Sequence, residues 1–409
     1  MLVKLAWRNL WRQKRRTVLT ASALALALVL SLVMRSMQEG TYANSIENSA
    51  RFYTGLIQLQ HPDYVESSSI DDLLPGSEDF IQPAKALPSM AFVMPRIESF
   101  ALAAATDQSK GVMVIGIDPP LEDAYSNLSD KIVKGSYFAA SDKAVLLGES
   151  LARVMNVTVG DEFVLYGQGY RGQTAAGLYT VKGLVSFPTP QLESQLVYMP
   201  LEQAKLMYST EGQVTNWVLH THALEEVPIA TGQLESIYKD KVNVRDWTDL
   251  SPETAQNIQM DKAGGIFLMY VLYGVVGFGL FATIMMMTLE RQREFGVMLA
   301  TGLVRSKLIA LIGLESAMMA LFGVVIGLVV SAPILAYLFY NPIELTGETA
   351  KLMIQSGLEP VIPIAIKMSL FIDQILIVLT LMLLCLIYPM KRIYQLELVS
   401  ALKGGAHAH

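Results

Sequence analysis

Charged residues are scarce in this chain of 409 residues. They form 17% of it, against about 25% in typical globular proteins. Hydrophobic residues make up 52%, and the mean hydropathy is +0.38. An ordinary soluble enzyme or DNA-binding protein does not have this composition. The apolar excess therefore requires a membrane or an unusually large core.

Cysteine is almost absent as well. Cys385 is the only one, which excludes an intramolecular disulfide and a cysteine-based zinc site. The sequence also contains no GxxxxGK[ST] phosphate loop, no GxSxG nucleophile elbow and no HExxH pair, so it offers no hydrolase chemistry. His220 and His222 could share one strand face, but no assigned carboxylate completes a metal site, and we expect surface histidines. We expect a non-catalytic chain without a metal or cofactor of its own.

Four long stretches lack Asp, Glu, Lys and Arg altogether. A helix needs about 17 to 25 apolar residues to cross a bilayer, and all four are long enough. They are Thr17–Met34, Ala263–Leu289, Ser316–Ile343 and Gln374–Met390. The sequence therefore predicts an α-helical membrane protein with four transmembrane helices, at residues 17–37, 263–289, 308–340 and 368–390.

The distribution of charge predicts the orientation of these helices. Residues 1–16 carry six Lys and Arg and no acid, and residues 290–307 and 391–409 each carry a net charge of +2. Residues 38–262 hold 15 Lys and Arg against 29 Asp and Glu, a net charge of −14. The positive-inside rule places the basic segments, and hence both termini, in the cytoplasm. The large acidic region and the short loop 341–367 are then periplasmic.

The N-terminal segment 1–16 has two faces of its own. Val3, Trp7, Leu10 and Trp11 recur at helical spacing, and cations including Lys4 follow the other side. This pattern predicts an amphipathic helix in the inner headgroup layer, in contact with membrane lipids. The apolar run after it is longer than the 7 to 15 residues usual in a signal peptide, so we expect an uncleaved anchor.

The outer region 38–262 alternates short strand-like runs with a few helices, which is an α+β pattern. We expect two lobes, the central one at about residues 107–213. The predicted strands are Leu56–Gln60, Ser99–Thr106, Gly111–Asp118, Ala144–Gly148, Glu162–Tyr166, Tyr179–Val185, Gln195–Met199, Thr215–His220 and Val242–Asp246. The predicted helices are Thr41–Arg51, Glu149–Met155, Leu201–Tyr208 and Leu224–Lys239.

Three motifs follow one another around the predicted cytoplasmic loop. They are Glu290–Glu294 (ERQRE), Ala300–Gly302 (ATG) and the pair Glu315–Ser316. In this order they resemble the signature of the FtsX-like permease family, which includes MacB and the lipoprotein-releasing permeases LolC and LolE. Looser resemblances to this family lie in Ala6–Leu10, Gly116–Pro119, Leu147–Ala152, Val159–Asp161, Tyr388–Arg392 and Leu398–Leu402.

The resemblance implies a permease subunit of an ABC transporter of the mechanotransmission type. ATP and Mg would be bound by a partner ATPase dimer, which we expect on a separate protein, as in the Lol-like arrangement, because the chain has no phosphate loop. A second permease copy or a paralogue completes the assembly, and no nucleic acid is involved. The residues expected to couple to the ATPase are Glu290, Arg291, Arg293, Glu294, Phe295, Gly296, Ala300, Gly302 and Arg305.

The leading functional expectation is release of lipoproteins from the outer leaflet of the inner membrane, with a possible periplasmic carrier. Two alternatives stay open: MacB-like export of peptides, toxins or macrolides, and FtsX-like signalling to a cell-wall hydrolase. Glu315 lies in the third span, and an intramembrane carboxylate is by default functional. The alternative, which stays open, is that Glu315 only reaches the interface or bonds a neighbouring helix. The residues expected to meet cargo are Leu28, Leu32, Phe267, Tyr270, Val271 and Gly274.

Overall fold

The computed structural model describes residues 2–67, 69–105, 108–187, 193–355 and 360–395. The predicted tail motif Leu398–Leu402 and Thr106 lie outside this part of the chain. The chain divides into two compact units. The membrane unit comprises Met1–Thr41, Gln259–Ile343 and Ile362–His409. The outer unit comprises Tyr42–Ile258 and Glu344–Val361.

Helices and strands are numbered here in chain order. The α-helices are α1 (Leu2–Arg12), α2 (Lys14–Ser49), α3 (Tyr64–Ser67), α4 (Glu78–Lys85), α5 (Pro119–Ser126), α6 (Glu149–Met155), α7 (Leu201–Tyr208), α8 (Val227–Tyr238), α9 (Trp247–Leu250), α10 (Pro252–Glu290), α11 (Gln292–Ala300), α12 (Arg305–Tyr340), α13 (Glu348–Gln355) and α14 (Met368–Tyr394). The strands are β1 (Ile57–Gln60), β2 (Met90–Ala105), β3 (Gln108–Ile117), β4 (Ile132–Gly135), β5 (Ala144–Gly148), β6 (Glu162–Gln168), β7 (Thr174–Val185), β8 (Leu196–Pro200), β9 (Asn216–Thr221), β10 (Asn243–Asp246), β11 (Ile343–Glu344) and β12 (Val361–Ile362).

In the described part of the chain, four helices are long and apolar enough to cross a membrane: α2, α10, α12 and α14. This confirms the four predicted spans. The helices extend beyond the charge-free stretches, and α2 continues through a π-helix, Ala50–Thr54. The predicted helix Thr41–Arg51 is therefore helical, but as a continuation of α2 and its π-helix. No proline interrupts this part of the chain, and Gly40 remains helical, so nothing ends the first helix before the outer region begins.

In the membrane unit, α12 packs closely against α2 through two glycines. A Cβ atom on Gly323 would lie 2.7 Å from the Cβ of Leu24, and one on Gly327 would lie 3.1 Å from the Cβ of Leu28. The two glycines form a GxxxG motif, whose small residues let two helix backbones approach. Larger side chains at these positions would separate the helices.

The outer unit is organised around β2, a strand of 16 residues. Its first part pairs with β9, which continues through β1 to β10. Its second part pairs with both β3 and β6. Because β3 pairs with β8, β8 with β5, β5 with β7 and β7 with β6, these six strands close into a ring. Buried side chains such as Val114, Val145 and Phe163 fill the core of this part.

Each of the nine predicted strands overlaps an observed strand. The predicted helices Glu149–Met155 and Leu201–Tyr208 are confirmed, and most of Leu224–Lys239 is helical. The predicted lobe boundary at residue 107 falls between β2 and β3, which pair along their length in one ring. A single boundary cannot separate the lobes here, because β2 belongs to both.

Candidate functional site

The link between α10 and α12 contains most of the first family motif and the whole of the second, Ala300–Gly302. The third motif, Glu315–Ser316, lies in α12. The sequence predicts that the helix of the second span continues through Arg291 and Glu294 and is broken at Thr301–Gly302. The helix instead ends at Glu290, because Arg291 leaves helical geometry, with φ −95° and ψ 6°. A short helix, α11, follows and ends at a turn in which Gly302 has φ +95°. The predicted break at Gly302 is therefore confirmed, and a second break at Arg291 is new.

Arg291 and Glu315 form a buried ion pair. Nη1 of Arg291 lies 2.5 Å from Oε2 of Glu315 and Nη2 lies 3.3 Å from Oε1. The two side chains are only 5% and 3% exposed. Asn9 of α1 donates a hydrogen bond of 2.6 Å to Oε1 of Glu315. The carboxylate of Glu315 is therefore bonded to two neighbouring elements, α1 and the start of α11.

Further ion pairs extend this contact. Nη2 of Arg12 lies 2.6 and 2.7 Å from the two carboxylate oxygens of Glu294, and Nε of Arg291 lies 3.2 Å from Oε2 of Glu294. Arg16 of α2 binds the carboxylate of Glu290 at the end of α10. We call these residues, together with Arg291, Glu315 and Asn9, the ion-pair cluster. It connects α1, α2, α10, α11 and α12.

The electrostatics of Glu294 reflect its position in this cluster. Partial burial raises the pKa of the carboxyl group, but hydrogen bonds from Arg12 and Arg291 and the charges of these arginines outweigh it, and the pKa lies below its ordinary value. Charge-assisted hydrogen bonds to an ionised carboxylate have this effect. Glu294 is therefore anionic and held between two arginines.

The predicted coupling residues fall into two groups. Arg291, Phe295 and Gly296 are buried, and the guanidinium of Arg291 lies over the ring of Phe295 at 5.2 Å. Arg305 is half-buried and donates to the carbonyl oxygen of Tyr394. The exposed members are Glu290, Arg293, Glu294, Ala300 and Gly302. Sequence motifs marked both groups, but only the second is accessible to a partner protein.

The predicted cargo residues are not brought together in this structure. Leu28 and Leu32 are fully buried in the core of the membrane unit. Phe267, Tyr270 and Val271 are exposed on α10, and among the described residues no atom lies within 4 Å of a Cβ placed on Gly274. Only the α10 residues are accessible in this conformation.

The histidines expected at the surface of the outer unit differ from each other. His222 is exposed, but the expectation was wrong for His220, which is fully buried and stacks on Tyr125 with ring centroids 3.6 Å apart. Burial lowers the pKa of His220 well below its ordinary value, and the charges of Arg96 and Arg51 lower it further. The sequence held a signal for this, because the unbroken apolar run Trp217–Leu219 before His220 is typical of a strand buried on both faces.

The outer unit also holds a group that could bind a metal ion. His61, Asp63 and Asp72 bring one ligand atom each within 4.8 Å of one another. The side chain of Asp63 is 81% exposed, so the group is an open surface cluster. No sequence motif had marked it.

Four apolar helices, an α/β outer unit and an ion-paired motif between two spans define a membrane protein of the permease class. The comparisons with known families agree. Residues 17–237 match the MacB-like periplasmic core domain, and residues 266–398 match the FtsX-like permease C-terminal family. The chain belongs to this family of FtsX-like permeases with a MacB-like extracytoplasmic domain.

Known relatives are distant. A lipoprotein-releasing system transmembrane protein LolC of Neisseria meningitidis is 24% identical over 58% of this chain and 59% of the relative. The macrolide export ATP-binding/permease protein MacB of Nitrosomonas europaea is 20% identical over 83% of this chain and 52% of the relative. The chain thus spans between half and three fifths of the length of these relatives. Among solved structures, the periplasmic region of MacB from Actinobacillus actinomycetemcomitans is 17% identical, covers 52% of this chain and 98% of that one, and has a TM-score of 0.35.

Proposed function

We propose that this chain is the permease subunit of an ABC transporter that releases lipoproteins from the outer leaflet of the inner membrane. Both termini and α11 lie in the cytoplasm in this proposal, and a separate ATPase subunit, which binds ATP and Mg, docks on α11. The ion-pair cluster is the observation that supports coupling between the ATPase and the membrane helices. It ties α11, the part accessible to a partner, to helices that cross the membrane.

The buried position of the Arg291–Glu315 pair supports this role. Breaking a buried ion pair leaves an uncompensated charge, at a cost of about 3 to 5 kcal/mol. A displacement of α11 therefore moves α12 with it more readily than it breaks the pair. The exposed pairs of Arg12 and Arg16 link the same motion to α1 and α2.

The exposed face of α11 is the surface that we assign to the ATPase. It presents Arg293, Val297 and Ala300, followed by the turn at Gly302. Val297 and Ala300 are apolar and Arg293 beside them is charged, and protein interfaces combine an apolar centre with a polar rim in which Arg is frequent. The buried residues Phe295 and Gly296 then support this surface from below.

The proposed cargo follows from the energetics of extraction and from the LolC relative. Removal of an acyl chain from the bilayer costs about 0.8 kcal/mol per methylene group, so release of a lipoprotein needs an external energy source. The exposed residues Phe267, Tyr270 and Val271 of α10 offer an apolar surface to a second permease copy or to acyl chains. MacB-like export of peptides or macrolides is the second candidate, because the MacB relative covers the larger share of this chain.

A docking experiment tests the proposal. The tagged chain is purified from its source organism, and the co-purifying ATPase is measured for Val297→Glu and for the matched control Leu206→Glu. Both changes place an acid at an exposed apolar position, 48% exposed on α11 and 73% exposed on α7. We expect the ATPase to be lost only with Val297→Glu, and the chain alone to hydrolyse no ATP. Retention of the ATPase by both variants would contradict docking on α11.

A further inference from the structure

A small cavity lies between α1 and α12 in the membrane unit. Its volume is about 340 Å³, and it is lined by Val3, Lys4, Trp7 and Arg8 of α1 and by Met318 of α12. The lining combines apolar side chains with two cations on one helix.

The apolar wall of the cavity is built by aromatic and methionine side chains. Trp7 packs against Phe322 of α12, with ring centroids 5.6 Å apart, and against Trp11 at 6.1 Å. Met318 and Phe322 rest on a buried cluster that includes Leu10. Trp7 is nevertheless partly exposed beside the cavity. A tryptophan with an apolar body and a polar edge suits the boundary between acyl chains and headgroups.

The cations of this region differ in their partners. Arg12 and Arg16 are bound to Glu294 and Glu290, whereas Lys4 and Arg8 form no ion pair within the ranges that the structure describes. Residues four apart lie on the same face of a helix, so both charges stand over the cavity. Two unpaired cations above an apolar wall match an anionic headgroup that carries acyl chains.

We propose that this cavity binds an anionic phospholipid of the inner leaflet. Its phosphate lies against Lys4 and Arg8, and an acyl chain lies against Trp7 and Met318. The assignment rests on the topology of the proposed function, which puts α1 at the cytoplasmic surface, and is independent of the cargo.

The site adjoins the ion-pair cluster on both helices. Asn9 follows Arg8 in α1 and donates to Glu315, which lies three residues before Met318 in α12. A lipid that bridges Arg8 and Met318 therefore stabilises the contact that holds Asn9 on Glu315. The lipid composition of the inner leaflet would in this way regulate how firmly α1 is joined to the cluster.

Native mass spectrometry of the full chain tests this site. The delipidated protein is titrated with phosphatidylglycerol and with phosphatidylcholine, and with glycerophosphoglycerol to separate a lipid from a free phosphate ester. Each cation near an anionic lipid contributes to binding, and removal of two should weaken phosphatidylglycerol binding by ~30-fold. We expect this for K4Q/R8Q, while the matched control K14Q/R15Q, which removes two exposed cations from α2, stays close to wild type.

A second variant tests the apolar wall without a change of charge. Met318→Trp fills the cavity and should reduce lipid retention while the protein remains folded. Equal binding of the two phospholipids, equal losses in both double variants, or binding of glycerophosphoglycerol as tight as that of the lipid would overturn the proposal. Because no ATPase is present, failure here leaves the proposed function standing, and failure of ATPase docking leaves the lipid measurement unaffected.

Discussion

Arg291 lies at the helix break before α11 and Glu315 lies 24 residues later in α12, yet their charged groups meet at 2.5 Å. The break at Arg291 turns its guanidinium towards α12, and the turn at Gly302 brings α12 back beside it. The pair therefore depends on both ends of α11.

The first prediction concerns the strength of this pair. In a double-mutant cycle with Arg291→Gln and Glu315→Gln, we expect a coupling of about 3 kcal/mol in the free energy of unfolding, because both groups are buried. The exposed pair of Arg12 and Glu294 is the control, and its coupling should stay below about 1 kcal/mol. Equal couplings would show that burial of the first pair has no energetic effect.

The second prediction concerns Gly302. No atom of the described residues lies within 4 Å of the position that a Cβ would occupy, but its φ is +95°. The cost of a substitution is therefore backbone strain, about 1 to 3 kcal/mol, and β-branched residues suffer most. Gly302→Val should abolish transport, whereas Gly302→Asn should retain part of it. Transport assays in cells that carry either variant measure whether Gly302→Val impairs transport more than Gly302→Asn. Full transport by Gly302→Val would show that transport does not need this turn.

The third prediction compares glycines of two spans. Gly323 and Gly327 contact α2 closely, whereas no atom of the described residues lies within 4 Å of a Cβ placed on Gly274 or Gly279 of α10. Gly323→Leu should destabilise the protein by about 1 to 3 kcal/mol through overpacking. Gly279→Leu is the matched control and should have little effect on stability in detergent. A larger loss for Gly279→Leu would place the critical helix contact on α10 instead.

The fourth prediction is a pH dependence of the outer unit. The folded pKa of His220 lies well below the ordinary value of 6.5, so the unfolded chain takes up a proton that the folded chain does not. Stability is therefore fully present above about pH 6.5 and falls as the pH drops, by up to about 1.4 kcal/mol per pH unit. Tryptophan fluorescence during denaturant unfolding at pH 7.5 and 5.5 measures this slope.

Two substitutions test whether His220 causes this pH dependence of the free energy of unfolding. His220→Phe keeps a ring that can stack on Tyr125 and should remove the contribution. The exposed His222 provides the control, and His222→Phe should leave the slope unchanged. A slope that persists in His220→Phe would assign the effect to other groups.

The sequence predicted where the helices and strands lie better than how they pack and pair with one another. Charge-free stretches located the spans because the bilayer excludes charges along the whole length of a helix. The ring of the outer unit was not predictable, because its closure pairs Ala101 with Gly167, and such distant pairing leaves no local pattern. The GxxxG motif of Gly323 and Gly327 was present in the sequence, but which helix it packs against depends on the tertiary structure.

In the candidate site, too, the sequence identified residues but not how they pack. The family motif marked Arg291, Glu294 and Glu315, but not that Arg291 is buried. A motif of alternating charges is usually solvated, and only the break in the helix turns one of these charges inward. In the outer unit, the buried pair of Arg96 and Glu122, at 2.6 Å, was likewise indistinguishable from the acidic surface in sequence.

ATP-dependent release of a lipoprotein from proteoliposomes tests the proposed transport function directly. The permease is reconstituted with its co-purified ATPase and a fluorescent triacylated protein in the leaflet that the outer unit faces. We predict that ATP moves the lipoprotein into solution or onto a soluble acceptor, and that Glu315→Gln hydrolyses ATP without this release. Continued hydrolysis by the wild-type complex while the lipoprotein stays in the membrane would contradict the account.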